Sequence, residues 1–158
     1  MGSLERLWRS QTLSNRLKAR LIQTLVWPIV TYGSESWTLN FDLTRNIEAF
    51  EMQCYRKVLR IPHVDHVTNT EVLGRMGQER MLLKRVKSRK MNYFGHVARV
   101  QSLEHDIMFG PVSGKRRQGG QRKQWFDDMT QWIGKDLPTG YRLAEGRNLF
   151  RHLIRRVA

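Results

Sequence analysis

The sequence predicts an all-α fold, and three observations lead to that prediction. Apolar residues recur every three or four positions, which places them on one face of a helix. Ser, Thr, Asn or Asp precede several of these stretches, where such residues cap helix N-termini. Gly or Pro follows them, as expected where helices end. The clearest apolar row comprises Leu43, Ile47, Phe50, Cys54, Val58 and Ile61.

The first long helix is expected after Ser14, which is a good N-cap, with leucines at every fourth position from Leu17 to Leu25. The run Leu25–Val30 is apolar all round, which predicts burial on several sides. Pro28 lies inside this run and predicts a kink or an end of the helix.

The second long helix is expected to begin at a cap formed by Asn40 or Asp42 and to end before Pro62. Cys54 lies in its apolar row, so we interpret it as a small core residue rather than a nucleophile. Arg56, Lys57 and Arg60 gather in the last turns, where they suit the helix dipole.

His63 and His66 suggest a metal site, but the chain has one cysteine and no set of four ligands at zinc-site spacing. We interpret these histidines as loop residues. A short helix is then expected after Thr68 or Asn69, ending at Gly77.

The central helix is expected within Glu79–Val100. Lys90 falls inside its apolar arc, where the stem of a lysine can lie on apolar surface while the ammonium reaches water. Gly95 disfavours a helix interior by roughly 1 kcal/mol, so we expect a close contact or the helix end there. The apolar face of this helix comprises Leu82, Val86, Tyr93, Val97 and Val100.

No clear pattern covers residues 103–109, and the stretch 110–124 is predicted to be a flexible basic loop, because it is rich in cations and glycine and cannot bury apolar area. A helix with Trp125, Met129 and Trp132 on one face follows, which favours a core position over an aromatic platform for unpaired bases. Residues 137–140 are predicted to be a linker. The last helix carries a row of cations, Arg147, Arg151 and Arg155, and an apolar set, Leu143, Phe150, Leu153, Ile154 and Val157.

Asp127 and Asp128 resemble the paired aspartates of polymerases. They fall in a helical pattern with no third carboxylate to complete a Mg²⁺ site, and both are predicted to lie off the apolar face. We therefore expect first-turn acids that suit the helix dipole, no catalytic residue, no metal and no cofactor.

The net charge of +14, from 28 Lys and Arg against 14 Asp and Glu, points to an anionic partner, with nucleic acid ahead of an acidic membrane surface. The single cysteine fits a reducing intracellular compartment, nuclear or cytoplasmic. No apolar run approaches the roughly 20 residues that span a bilayer, so no membrane association is expected. The predicted nucleic-acid-binding residues are Lys84, Arg85, Lys87, Arg89, His96, Arg99, Lys115, Arg116, Arg117, Arg122, Lys123, Arg151 and Arg155.

Several stretches together resemble the C-terminal region of LINE-type, non-LTR retrotransposon reverse transcriptases of the RTE-like kind. They are, in order, TLVWPIVTYGSESWTL, IEAFEMQCYRKVLRI, VTNTEVLGRMGQ, YFGHVARV, GKRRQGGQRKQWFDDM and RLAEGRNLF. The sequence departs from the family pattern at Gly120-Gln121, where Arg-Pro is common, at Phe150, where Trp is common, and at Trp27, where Arg is common.

The resemblance implies a thumb-like helical hairpin in residues 1–62, followed by a basic helical extension in 63–158 that holds template RNA or target DNA through phosphate contacts. It implies no enzyme, because the stretches that match include neither a catalytic palm nor an endonuclease. Two alternatives remain open. One is a module that docks another protein, or a second copy, through the run Leu25–Val30; the other is a transposon remnant with no selected function.

Overall fold

The computed structural model describes residues 5–110, 119 and 123–157, and within these ranges the chain is all-α with no strand, as predicted. It divides into two compact units. Unit 1 contains the described residues up to Tyr32 together with Phe41–Leu83, and unit 2 contains Gly33–Asn40 and the described residues from Lys84 onward. These two units are compact groups of contacts and do not test the predicted boundary after residue 62, which stays a prediction.

Unit 1 is built from five helices and the beginning of a sixth. They are α1 (Glu5–Arg9), α2 (Asn15–Leu21), α3 (Trp27–Val30), α4 (Phe41–Leu59), α5 (Asn69–Met76) and the start of α6 (Leu82–Arg99). Two expected caps are confirmed, because the hydroxyl of Ser14 accepts from the N–H of Leu17 and that of Thr68 accepts from the N–H of Glu71. Gly77 ends α5 in the left-handed conformation, as expected from its sequence position.

The interruption predicted at Pro28 takes the form of a π-helical segment, Ile22–Val26, between α2 and α3. Pro28 follows this segment in the first turn of α3, and because the preceding residues are also helical, its missing N–H removes one backbone hydrogen bond at the interruption. The predicted burial of Leu25–Val30 is wrong for most of this run. Trp27 is buried because it packs against Phe50 and Tyr55, whereas Ile29 is 76% exposed.

Glu51 joins α4 to the beginning of α6 inside unit 1. Its fully buried carboxylate accepts hydrogen bonds from the N–H groups of Met81 at 2.8 Å and Leu82 at 3.1 Å. The first N–H groups of a helix have no partner within it, so this carboxylate satisfies two of them. The hydroxyl of Tyr55 donates to the same oxygen at 3.3 Å.

Unit 2 consists of the Gly33–Asn40 segment, most of α6, and four further helices. These are α7 (Leu103–Phe109), α8 (Trp125–Ile133), α9 (Leu137–Glu145) and α10 (Arg147–Val157). Phe94 of α6 lies at the centre of the unit's core, with the rings of Phe109, Trp125, Phe126 and Phe150 around it.

Two predictions about this unit need correction, and one stretch that had no clear sequence pattern proves to be helical. Residues 137–140 are the first turn of α9 and not a linker, because Pro138 occupies an early helical position where proline is tolerated and Gly140 is buried. Val100 is 41% exposed rather than part of the buried face, since α6 ends at Arg99. Residues 103–109 form a helix, α7, whose cap is the hydroxyl of Ser102.

Candidate nucleic-acid interface

The interior of unit 2 is organised around a buried ion network. The ammonium of Lys90 on α6 pairs with the carboxylate of Asp128 on α8, and both side chains are fully buried. The ammonium of Lys123 lies 2.6 Å from the other oxygen of the same carboxylate. A charge buried to this extent is tolerated when it is paired and hydrogen-bonded.

The Gly33–Asn40 segment supplies the remaining partners of this network. The N–H of Leu39 donates to Asp128 at 2.9 Å, and the carbonyl of Trp37 accepts from Lys90 at 2.7 Å. The carbonyl of Leu39 accepts from Lys123 at 2.6 Å. The network therefore fixes this segment to α6 and α8 by backbone contacts that do not depend on the segment's own side chains.

Two tryptophans complete the surroundings of Lys90. Its ammonium lies 4.6 Å from the ring centroid of Trp125 and 5.7 Å from that of Trp132, and the ammonium of Lys87 lies 5.5 Å from the Trp132 ring. Burial lowers the pKa of Lys90, while the hydrogen bond and charge of Asp128 act in the opposite direction. The prediction that the head of Lys90 reaches solvent is wrong, because an acid meets it inside the core.

The two aspartates of α8 have different roles. Asp127 accepts the N–H of Gln124 at 2.6 Å in a capping box, which confirms the predicted role in the first turn. Asp128 points inward to the two lysines, so its predicted position off the apolar face is wrong. In the described ranges no group of three His, Cys, Asp or Glu side chains is arranged to hold a metal ion.

Arg89, Lys87 and Lys123 are among the predicted binding residues that have partners within unit 2. Arg89 holds the carboxylate of Glu35 through two nitrogen atoms, at 2.8 and 2.7 Å. Lys87 lies over Trp132, and Lys123 belongs to the ion network. Trp125 also donates its indole N–H to the carbonyl of Glu35 at 2.8 Å, so this glutamate is held from α6 and α8. Any contact of these cations with a ligand would compete with an internal partner.

A second group of predicted residues lies on the surface. Its members on α6 and α10 are solvent-exposed: Lys84, Arg85, His96, Arg99, Arg151 and Arg155. The remaining predicted residues, Lys115, Arg116, Arg117 and Arg122, lie outside the described residues, as does most of the predicted flexible basic loop.

Arg99 links the end of α6 to the cationic row of α10. Its guanidinium donates to the carbonyl of Ala144 at 2.6 Å, at the C-terminal end of α9, where the helix dipole favours a cation. The pKa of Arg99 is lowered by burial and then by the positive charge of Arg147. These two guanidinium groups therefore lie close enough to repel each other, which an anion at this position would relieve.

The sequence reasoning missed the buried polar residues. Lys18 is buried with its ammonium 3.0 Å from the carbonyl of Trp8, and Glu51 and Asp128 were not recognised as core acids. One signal was available: a lysine inside an apolar arc needs a counter-charge, and Asp128 stands next to Met129, which the pattern of α8 places in the core.

Comparison with known proteins gives one informative similarity. A Caenorhabditis elegans protein, named as an uncharacterized transposon-derived protein, is 27% identical to this chain over 153 residues. The alignment covers 89% of this chain and 55% of that protein, so the chain spans about half the length of its relative. No family model matches the chain, and no solved structure does. The relative supports a transposon origin, while the assignment to a LINE-type reverse transcriptase stays a prediction. No helix in the described ranges is long and apolar enough to cross a membrane.

Proposed function

We propose that the chain is a non-catalytic nucleic-acid-binding module of a transposon-derived protein, resembling the C-terminal region of a non-LTR retrotransposon reverse transcriptase. It holds RNA or DNA through the phosphate backbone, with little dependence on sequence. The observation that carries the proposal is the accumulation of exposed arginines on α10, which are Arg147, Arg151, Arg155 and Arg156.

The composition of α10 supports this function. The helix contains four arginines, with one at every fourth position from Arg147 to Arg155, and no acid. Arg147 begins the helix, where a positive charge opposes the helix dipole. Like charges four residues apart on a helix destabilise it by a few tenths of a kcal/mol each. A phosphate backbone would turn these repulsions into attraction, because each arginine can bind phosphate oxygens in bidentate geometry.

The test is a binding titration of the whole chain against single-stranded RNA, duplex RNA and duplex DNA at several salt concentrations. Each phosphate contact adds about 0.7–0.9 to the slope of log K against log salt. The double variant Arg151→Gln, Arg155→Gln should therefore lower that slope by about 1.5. A matched control exists on α2, where Arg16 and Arg20 are exposed at the same spacing.

The control variant Arg16→Gln, Arg20→Gln removes the same charge and should leave the slope nearly unchanged. Equal effects of the two double variants would mean that binding follows net charge and not the row on α10. Absence of salt-dependent binding to all three ligands would overturn the proposed function itself.

A second candidate function is docking of another protein or a second copy through unit 1. Leu25, Ile29 and Tyr32 are 43%, 76% and 85% exposed, at the spacing of one helical face. Exposed apolar side chains grouped in this way are typical of interaction sites. Light scattering should then show a mass that rises with concentration, and Ile29→Glu should abolish the rise. A monomeric mass at all concentrations would exclude self-association.

A further inference from the structure

A groove with a volume of about 730 Å³ lies within unit 1, along the C-terminal half of α4 and the turn that follows it. This volume is in the range of about 300–1,000 Å³ that small-molecule and cofactor sites occupy. The groove belongs to neither candidate site described above. Its lining residues are Phe50, Gln53, Cys54, Arg56, Lys57, Ile61, His66 and Val67.

One part of this lining is apolar. Phe50 and Ile61 are half-buried, so each offers part of its side chain to the groove. Burial, with the charge of Glu51 as a lesser cause, raises the pKa of Cys54 to about 12. Its thiol is therefore neutral at physiological pH and belongs to the apolar wall. A flat apolar group would gain contacts here without displacing a charge.

The other part of the lining is cationic. Lys57 is exposed, whereas Arg56 is held in place because one of its nitrogens donates to the carbonyl of Val67 and to the side chain of Asn69, both at 2.8 Å. A guanidinium carries five N–H donors, so this arrangement fixes its plane and leaves donors for an anion.

The described lining of this groove contains no carboxylate, which distinguishes it from two other grooves of unit 1. Those two grooves also contain arginine, but each is lined by a glutamate that pairs with one, Glu5 with Arg9 and Glu48 with Arg80. An anion that enters this groove meets Arg56 and Lys57 and, among the described lining residues, no acid.

The end of α4 forms a Schellman motif that positions Ile61. The N–H of Ile61 donates to the carbonyl of Arg56 at 3.0 Å, and Arg60 takes the left-handed position with a φ of 54°. His66 is also left-handed, with a φ of 46°. Such conformations are uncommon in residues other than glycine. Arg60 and His66 lie at the two ends of the turn after α4, and this turn contributes Ile61 and His66 to the lining of the groove.

We propose that this groove binds one unpaired nucleotide of a single-stranded RNA or DNA, with the base against Phe50 and Ile61 and its phosphate at Arg56 and Lys57. A nucleotide combines a flat apolar face with a fixed anion, which matches the two parts of the lining. A paired base would not expose its face. The inference deepens the proposed function, since it rests on the chain binding nucleic acid, but it concerns a different unit.

Fluorescence anisotropy of the whole chain with a labelled oligouridylate provides the test. Stacking of a base on an aromatic ring contributes about tenfold or more to affinity. Gln53→Glu places a carboxylate in the groove with little change in shape, and its repulsion of the phosphate should weaken binding about tenfold. Asn46→Asp makes the same change on the same helix, at an exposed position outside the groove's lining, and should change affinity less than twofold.

Two further measurements separate the possible outcomes. An oligonucleotide of abasic sites has no base to place in the groove, so it should bind wild type and Gln53→Glu with similar affinity. A strand that contains 4-thiouridine should crosslink to residues 50–67. If the oligouridylate binds but Gln53→Glu and Asn46→Asp have equal effects, this inference fails while the proposed function stands. If oligoglutamate peptides displace the crosslink as well as uridine oligonucleotides do, the groove binds acidic peptides instead. If no strand binds, the proposed function fails.

Lys57→Gln offers a second variant should the glutamate disturb folding, since Lys57 is exposed, lines the groove and is assigned to the phosphate. We expect a severalfold loss of affinity for the oligouridylate. An unchanged affinity would remove Lys57 from the site and count against the assigned position of the phosphate.

Discussion

The ammonium of Lys90 and the carboxylate of Asp128, 38 residues apart in the chain, form an ion pair in which neither side chain has exposed surface. The pair joins α6 to α8, and its remaining hydrogen bonds hold the Gly33–Asn40 segment. A buried pair of this kind adds little stability over an apolar replacement, but breaking it leaves a charge without a partner. The position of the Gly33–Asn40 segment in unit 2 therefore depends on this carboxylate.

Replacing Asp128 by Asn should lower the free energy of unfolding by about 3–5 kcal/mol, because two lysine ammoniums then lack their carboxylate. Urea denaturation followed by circular dichroism measures the change. Asp127→Asn is the matched control, since this neighbouring carboxylate only closes a capping box and its loss should be worth about 1 kcal/mol. Equal losses for the two variants would contradict the role assigned to the network.

Gly95 allows α6 and α10 to approach within unit 2. A Cβ at this position would lie 2.7 Å from two ring carbons of Phe150, whose side chain is buried. Gly95→Ala should therefore lower the free energy of unfolding by about 1–3 kcal/mol, despite the better helix propensity of alanine.

Gly74→Ala on α5 is the control for this prediction. A Cβ there meets nothing within 4 Å, so alanine should stabilise the protein by about 0.5–1 kcal/mol. Thermal unfolding of the two variants should shift in opposite directions. A stabilising effect of Gly95→Ala would show that the contact with Phe150 is looser than described.

The sequence allowed the prediction of α6 and of either a close contact or the helix end at Gly95, because helical spacing and the low helix propensity of glycine are local properties. The structure shows the close contact. The partner of Lys90 could not be predicted in the same way, since Asp128 is distant in sequence and a lysine in an apolar arc usually reaches water. The prediction of a linker at 137–140 was wrong because it used only the low helix propensity of proline and glycine. Pro138 and Gly140 disfavour a helix interior, but one lies in the first turn and the other is buried.

The candidate interface was predictable only in part. Exposed cations such as Arg151 and Arg155 follow from the apolar pattern of α10, which leaves them on the opposite face. Arg89 and Lys123 carry the same charge in the sequence, yet the structure gives them internal partners in Glu35 and Asp128. Composition therefore predicts an anionic class of partner, whereas tertiary contacts decide which cations remain at the surface.

Arg60 occupies a left-handed position that favours glycine, and this leads to a stabilising substitution. A residue with a Cβ is disfavoured in the left-handed conformation by about 1–2 kcal/mol, and glycine avoids this cost. Part of the gain is offset, because glycine gives the unfolded chain more conformational entropy. Arg60→Gly should therefore raise the free energy of unfolding by about 1 kcal/mol. Arg60→Ala removes the same charge but keeps the Cβ, so it should have little effect. Equal stabilisation by both would assign the gain to charge.

Cys54 should make the protein less stable as the pH rises above 9. Burial raises the pKa of this thiol from 9.0 to about 12, so between these values the folded chain keeps a proton that the unfolded chain has released. The free energy of unfolding then falls with rising pH, by up to about 1.4 kcal/mol per pH unit.

In Cys54→Ala this contribution is absent, so the stability advantage of the wild type should shrink by about 2 kcal/mol between pH 9 and pH 11. Burial and Glu51, the main causes of the raised pKa of the neighbouring Tyr55, are common to both proteins, so most of its contribution cancels in the difference. Chemical denaturation of the two proteins at each pH provides the comparison, and parallel stability curves would mean that the thiol ionises in the folded chain as readily as in the unfolded one.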